Sequence, residues 1–339
     1  MNNFGYARAA SIEDAIAQAQ ARPSQYIAGG TELLNWIRLG IAAPDQLVDL
    51  GASGASREIK LSGNELTIGA LATLNDVGEH ELTIAHAGAL AEACLKAASA
   101  QVRNRATLGG NVLQKTRCVY FRSESPLPWG CNKRAPGSGC AALTGLNERH
   151  AIFGATDACV AVQPSDPLVA LACLDAEADL IGPRGQRTIS LRTLHFTQEE
   201  ARAERSASLH EAQLETRLRP QEIITRYRIQ LAPQEHSAYV KVRERESYEY
   251  ALVSAAATVR IEAGKIARVR LALGSVAQRP WRLPQAEGAL IGAALTKEAI
   301  LPLIQAALRD AKPLQHNAYK VTLAANAATR ALLLAGSHA

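Results

Sequence analysis

The chain has 339 residues, 47% hydrophobic and 20% charged, which fits a soluble globular protein of two or three domains and excludes a mainly disordered one. Its formal net charge of +5 is too small and too scattered to argue for nucleic acid. No window of about 18 residues is apolar enough to span a bilayer, and the first residues, MNNFGYARAASIEDAIAQAQ, hold no apolar core or cleavage pattern. The expectation is a chain without its own signal peptide, resident in the cytoplasm or carried to the periplasm by a partner that bears a signal.

Tyr6 to about Leu50 reads as strand, helix, glycine turn, helix and strand. Ser11 opens the first helix, with Glu13 and Asp14 behind it in a capping-box pattern. Tyr26-Ile27-Ala28 then reads as a short strand running into Gly29-Gly30 and a second helix, and Asp45–Leu50 returns as a strand. The small residues Gly51–Ser56 mark a boundary. A second unit starts near Ile59, with Glu65–Leu71 as a strand and Thr73-Leu74-Asn75-Asp76 entering a helix. Ala87, Leu90, Ala91, Cys94, Leu95 and Ala98 recur at helical spacing, ahead of a second glycine pair in Thr107-Leu108-Gly109-Gly110-Asn111.

From Gln114 to Ala158 the regular pattern fails, through Pro126-Leu127-Pro128 and Pro136-Gly137-Ser138-Gly139. Loops of that length are uncommon unless disordered or organised by something other than a core. Phe121, Trp129 and three cysteines are a poor composition for disorder, so something organises it. Between Gln101 and His150 eight lysines and arginines face only Glu124 and Glu148, which reads either as a solvated loop surface or as a docking or anion-binding face. Beyond it come a buried helix at Asp166–Leu174, a strand at Asp179–Ile181 and a Gly182-Pro183-Arg184-Gly185 turn. Thr197–Arg219 reads as a polar surface excursion. Strands follow at Glu222–Gln230 and Ser237–Val242, then a hairpin of Ala251–Val259 with Ile266–Gly274, and helices at Lys297–Asp310 and Lys320–Leu334.

Of the six cysteines, Cys94 and Cys173 lie in apolar periodic segments and read as core thiols. Cys118, Cys131, Cys140 and Cys159 are spaced C-x12-C-x8-C-x18-C. Disulfides fit poorly with a chain lacking a secretory signal. Structural zinc usually shows close pairs such as C-x2-C. An iron–sulfur cluster needs four thiolates converging on one inorganic core and tolerates wide spacings if the loop wraps it, yet this spacing matches no common ferredoxin run. Spacing leaves all of these open, unrelated thiols included.

The two glycine pairs fit neither a Rossmann fingerprint nor a P-loop. In two successive units they suggest a nucleotide held between subdomains, because glycine lets backbone N–H groups approach a pyrophosphate. Tyr26–Leu34 and Ala98–Gln114 resemble the FAD-binding subunits of the xanthine dehydrogenase, or molybdenum hydroxylase, family, and the resemblance covers essentially the whole chain. The stretch Thr116-Arg117-Cys118, Cys131-Asn132-Lys133-Arg134 and Pro136-Gly137-Ser138-Gly139-Cys140 is similar to an insert in the FAD subunits of bacterial periplasmic aldehyde oxidoreductases, where it binds a [4Fe–4S] cluster. The 4-hydroxybenzoyl-CoA reductase branch also carries a cluster in an insert.

The resemblance implies an α+β chain: a two-subdomain FAD-binding fold of the vanillyl-alcohol-oxidase type over residues 1–57 and 58–228, with the iron–sulfur insert at about 114–160. A C-terminal α/β domain of antiparallel sheet plus helices would follow over 229–339. Ala28, Gly29, Gly30, Thr31, Glu32 and Leu33 match the loop that wraps the FAD pyrophosphate, and Thr107, Gly110 and Asn111 the second phosphate-contacting turn. Asp166 matches an acid at the adenosine end, its plain alternative being to cap the helix behind it. Lys241 matches a lysine near the flavin ring, its alternative being a solvated strand lysine. Tyr250 packs by the isoalloxazine or in the core. Cys118, Cys131, Cys140 and Cys159 become the cluster ligands.

The function so implied is electron relay, with no catalytic residue in this chain. A molybdenum-cofactor subunit oxidises an aldehyde, a [2Fe–2S] subunit passes electrons to FAD in a heterotrimer, and an external acceptor takes them. Xanthine dehydrogenase or 4-hydroxybenzoyl-CoA reductase chemistry is the alternative on a partner subunit. A free-standing flavin oxidase of the vanillyl-alcohol group and a metal-stapled docking scaffold are the rivals outside that relay.

Overall fold

A computed structural model describes residues 3–204 and 209–337. Its first unit runs β1 (Gly5–Arg8), α1 (Ile12–Ala21), β2 (Ser24–Ile27), α2 (Leu33–Arg38) and β3 (Gln46–Asp49). The strands form a parallel sheet in the order β1-β3-β2, with Gly5 and Ser24 both in register with Gln46. Parallel neighbours need crossover connections, which α1 and α2 supply. Ser11 caps α1 by accepting from the Asp14 N–H, while the Asp14 carboxylate accepts from Ala10 N–H. Ile12, Ala15, Ile16 and Ala19 fall on one face of α1, and Ile12, Ala15 and Ile16 share a core with Val48 and Leu50. The Gly29-Gly30 turn leaves the carboxyl end of β2, the edge at which open parallel sheets bind ligands.

The second unit contains β4 (Ile59–Ser62), β5 (Glu65–Gly69), α3 (Leu74–Glu79), α4 (Glu81–His86), α5 (Gly88–Lys96), α6 (Ala100–Arg103) and α7 (Leu108–Val112). After the irregular insert come α8 (Asp166–Cys173), β6 (Glu177–Gly182), β7 (Gly185–Ser190), α9 (Gln198–Glu204) and β8 (Ile223–Gln230). The strands make an antiparallel sheet in the order β4-β5-β8-β6-β7. The last strand in sequence therefore sits in the middle, and everything between β5 and β6 leaves the sheet and returns to it. Leu66 and Ile68 pack under Leu90, Leu168 and Leu171, and Cys94 and Cys173 join that core as expected.

The third unit is β9 (His236–Val242), β10 (Val253–Glu262), β11 (Lys265–Gly274), β12 (Trp281–Arg282), α10 (Pro284–Leu290), α11 (Lys297–Ala307) and α12 (Tyr319–Gly336). Its sheet is antiparallel, ordered β12-β11-β10-β9. β10 is buried on both faces from Val253 to Val259. Ala256 belongs to the core of the second unit, where β10 packs against α8, whereas Val253, Ala255, Ala257 and Val259 belong to the core that β10 shares with α12. A strand of period two thus serves two cores, and its alanines let helices lie close on either side.

The insert gains no strand, only one short helical turn at Ala141–Leu143. Its exit is tied to α12 by Lys320, a fully buried side chain whose Nζ donates to the backbone carbonyls of His150 (2.9 Å) and Ser275 (2.6 Å). Burial, helped by the Arg149 charge, lowers its pKa to about 7. A neutral amine has two N–H groups, one for each carbonyl. Between about 7 and the ordinary 10.5 the unfolded chain binds the proton that the folded chain has released, so stability rises with pH across that window. Lys320→Met is expected to cost about 1–3 kcal/mol by orphaning the buried Ser275 carbonyl, the His150 carbonyl keeping the Asn317 side-chain amide as its donor. It should also flatten the alkaline rise, as read from denaturant midpoints of both proteins between pH 7 and 10.

Candidate functional site

A cavity of ≈ 1040 Å³ opens where the three units meet, large enough for a dinucleotide. The loop 28–33 after β2 lines one wall, the start of α7 with Thr107, Gly110 and Asn111 a second, and Asp166 at the start of α8 a third. Gly30 adopts φ +75, the left-handed region that favours glycine. A Cβ on Gly29 would overlap the backbone carbonyl oxygen of Arg105, so the two glycine segments touch through bare backbone. Thr107 caps α7 by accepting from the Gly110 N–H, and Asn111 Oδ1 accepts from the Ser165 hydroxyl at 2.6 Å.

Asp166 is not the helix cap. Ser165 takes that role by accepting from Leu168 N–H, which leaves the Asp166 carboxylate for the Tyr239 hydroxyl at 2.5 Å and Lys241 Nζ at 2.8 Å. Burial and the adjacent Asp166 charge raise the Tyr239 pKa. Lys241 is not a solvated strand lysine either: its side chain is 1% exposed and also donates to the Lys96 carbonyl. It stands behind Asp166 and is the one predicted flavin contact that does not line the cavity. Tyr250 does line it, half-exposed, with the Arg117 guanidinium 4.5 Å from its ring centroid.

The basic insert is neither a solvated surface nor a free anion-binding face. Its opposing charges come from far along the chain. Glu32 pairs with Arg117 at 2.8 Å and with Arg122, while Glu215 pairs with Lys133 at 2.9 Å and with Lys115. Arg149 pairs with Glu244 and Glu249, and Arg134 donates to the carbonyls of Phe121, Ser123 and Leu39. Burial opposes the Glu215 charge, yet the two lysines hold its pKa down to about 2. The segment Thr197–Arg219 is correspondingly not a mere surface excursion. Thr197, Gln198, Ala201, Glu211 and Ala212 are buried, and Arg217 lies 3.9 Å over the Phe196 ring.

Cys118, Cys131, Cys140 and Cys159 all line one enclosed cavity of ≈ 20 Å³, roofed by Phe121, Lys133 and His150. Cys131 and Cys140 face each other across a backbone bridge, and all six cysteines are free. Among the described residues no three Cys, His, Asp or Glu side chains converge tightly enough to hold a single metal ion. Burial pushes the Cys118 thiol up to about 12 and the Cys159 thiol up to about 11, and raises Cys140 as well. Neutral thiols have nothing to pull them onto one point. Neighbouring backbone N–H groups work against burial and lower the thiol pKa values: Phe121 and Tyr120 for Cys118, Ala142, Leu143 and Val160 for Cys140, and Ala161 for Cys159, while His150 Nε2 lies 3.2 Å from Cys118 Sγ. Such donors are what a sulfur bearing negative charge needs. A [4Fe–4S] cluster spreads its thiolates over separate irons, so the donor set and its shared cavity fit that group better than a single ion.

The family model described as the FAD binding domain in molybdopterin dehydrogenase matches residues 2–229, and that of the CO dehydrogenase flavoprotein C-terminal domain matches residues 238–335. The chain belongs to the FAD-binding subunits of the molybdenum hydroxylase family. This flavin subunit is 37% identical to the aldehyde oxidoreductase FAD-binding subunit PaoB of Escherichia coli, over 96% of this chain and 95% of that one. It is 26% identical to the carbon monoxide dehydrogenase medium chain of Afipia carboxidovorans, over 88% of this chain and 83% of that one. Among solved structures, carbon monoxide dehydrogenase from Hydrogenophaga pseudoflava matches with a TM-score of 0.74 and 25% identity, covering 99% of this chain and 98% of that one. The expected α+β class, a flavin-binding fold followed by a flavoprotein C-terminal domain, is the one found. The flavin subunit is thus a component of an oxidoreductase.

Sequence reasoning missed Trp36, Arg117 and the Leu218–Glu222 segment on the cavity wall. Arg117 was visible as one of eight basic residues and in the Thr116-Arg117-Cys118 stretch, but its place on the cavity wall goes with its pairing to Glu32, far from it in sequence. Gly29→Ala is expected to displace the 28–33 loop from Arg105 and to leave the purified subunit depleted in flavin at least about tenfold. Flavin released by denaturation, measured per chain, reads this directly, and full flavin occupancy in the variant would contradict it.

Proposed function

We propose that the flavin subunit carries FAD and a [4Fe–4S] cluster in a molybdenum-dependent aldehyde oxidoreductase, relaying electrons from a partner's [2Fe–2S] centres to an external acceptor. A partner subunit with the molybdenum cofactor oxidises the aldehyde to the carboxylic acid, which makes the assembly a heterotrimer. The observation that carries the reading is the meeting of four cysteines in one enclosed cavity, in a chain 37% identical to PaoB over nearly its whole length.

Bound FAD supplies a carrier that takes two electrons together and gives them up singly or in pairs. The chain's own residues do the rest. Loop 28–33 and the Thr107, Gly110 and Asn111 turn hold the pyrophosphate. Asp166 takes the adenosine end, its carboxylate kept oriented by Tyr239 and Lys241. Arg117 fixes the Tyr250 ring at the cavity wall. Cys118, Cys131, Cys140 and Cys159 ligate the cluster, with Lys133, whose side chain is 4% exposed, as the cation beside them.

Iron, acid-labile sulfide and flavin analysis of the anaerobically purified complex is expected to give about four irons and one FAD per flavin subunit. Cys118→Ser should lose most of the iron and keep the FAD. Zinc in place of iron would sink the cluster, and aldehyde oxidation by the isolated flavin subunit would sink the division of labour.

A further inference from the structure

Two carboxylates from outside the insert hold its first half, from Lys115 to Lys133, and they come from different places. Glu215 grips Lys115 and Lys133 but does not line the flavin cavity. Glu32 belongs to the flavin loop itself and lines that cavity. Its carboxylate accepts from Trp36 Nε1 at 2.7 Å, from the Lys115 N–H at 3.3 Å and from Arg122, and pairs with Arg117 at 2.8 Å. The side chain is only 13% exposed.

Two of those partners, Arg117 and Arg122, flank Cys118 in the chain. Arg117 precedes it directly. Arg122 closes the turn behind it, donating Nε to the Thr116 carbonyl at 2.8 Å and Nη2 to the Lys115 carbonyl at 2.9 Å. The Arg122 N–H also returns to the Cys118 carbonyl at 3.0 Å. Arg117 meanwhile reaches the flavin cavity, stacked on Tyr250 and bonded to Gln114 Oε1 at 2.9 Å. A single carboxylate therefore touches the loop that holds one cofactor and the turn that presents a ligand to the other.

We propose that Glu32 is a positioning residue that couples the two cofactor sites. Ordering of loop 28–33 by FAD fixes Glu32, which fixes Arg117 and Arg122 and so the turn carrying Cys118. By reciprocity an organised insert favours FAD by the same factor. The inference rests on the reading of the cavity as the flavin site and of the four cysteines as cluster ligands.

The test uses the whole complex, stripped of flavin or reloaded with FAD, and follows iron release to a ferrous chelator under anaerobic conditions. In the natural protein bound FAD is expected to slow iron release by about fivefold or more. Glu32→Gln keeps the shape but not the charge, and should bring the ratio of the two rates close to one. Glu215→Gln should speed release in both states and preserve the ratio, which separates coupling from general loosening of the insert. Arg117→Gln, expected to reduce the ratio part-way, serves if Glu32→Gln fails to accumulate. A ratio of one in the natural protein, or an undiminished ratio in Glu32→Gln, overturns the proposal. A second readout needs no iron: FAD should protect Arg117 and Arg122 of the iron-depleted complex from trypsin in the natural protein and not in Glu32→Gln. If the complex holds no iron, the cluster reading fails by itself and the trypsin ratio decides the coupling, equal cleavage with and without FAD overturning it.

Discussion

The first half of the insert depends on two carboxylates that are distant from it in sequence and placed between its cations. A segment without strands cannot satisfy its backbone through a sheet ladder, and the core it could build is small. It is instead clamped at Arg117 and Arg122 by Glu32, and at Lys115 and Lys133 by Glu215. Ion pairs this far from water add little net stability compared with apolar packing, but removing one partner strands the other charge at a cost of about 3–5 kcal/mol. Their contribution is specificity: they fix which turn of an irregular loop lies against which wall. The carboxylates must therefore be held in place by the elements that carry them, and loop 28–33 lies through bare glycine against the Arg105 backbone.

The same logic of shared walls governs the rest of the chain. β10 contributes Ala256 to the core of the second unit and Ala255 and Ala257 to that of the third. The two units cannot slide past each other without opening both cores. Asp166 at the start of α8 is held by Tyr239 and Lys241 from β9, so one wall of the flavin cavity is built across that junction. The cavity inherits its shape from packing that no single unit completes.

Most of the regular structure was legible because it is written locally. Ser11 and Asp14 announce α1, the Thr73–Asp76 capping box announces α3, and Ala251–Val259 with Ile266–Gly274 around a glycine-containing turn announce the C-terminal hairpin. The glycine pairs gave the cavity walls for the same reason: a backbone that must come close to another backbone allows no side chain. What sequence could not give was any pairing across long separations. The acids near the insert in sequence are Glu124 and Glu148, while those that neutralise it are Glu32, Glu215, Glu244 and Glu249. The Thr197–Arg219 stretch looked like surface because its polar residues are spent on internal pairs, Arg202 with Glu211 and Arg217 with Glu200. Capping was the plain alternative for Asp166 because Asp is a good cap, and Ser165 beside it, which is as good, takes that role.

The cysteine cavity shows what the chain prepares and what it leaves to a cofactor. The four cysteines line a small space without closing on a point, and Cys118 Sγ instead lies 3.2 Å from His150 Nε2. Burial keeps Cys118, Cys140 and Cys159 protonated, and giving up those protons requires positive charge close by. The chain supplies part of it as Lys133 and as backbone N–H groups beside three of the sulfurs. Iron would supply the remainder, exchanging protons for metal as thiolate ligation demands. Donors already beside the sulfurs would need little reorganisation if a metal bound, while the ion pairs of Glu32 and Glu215 hold the surrounding turns of the insert.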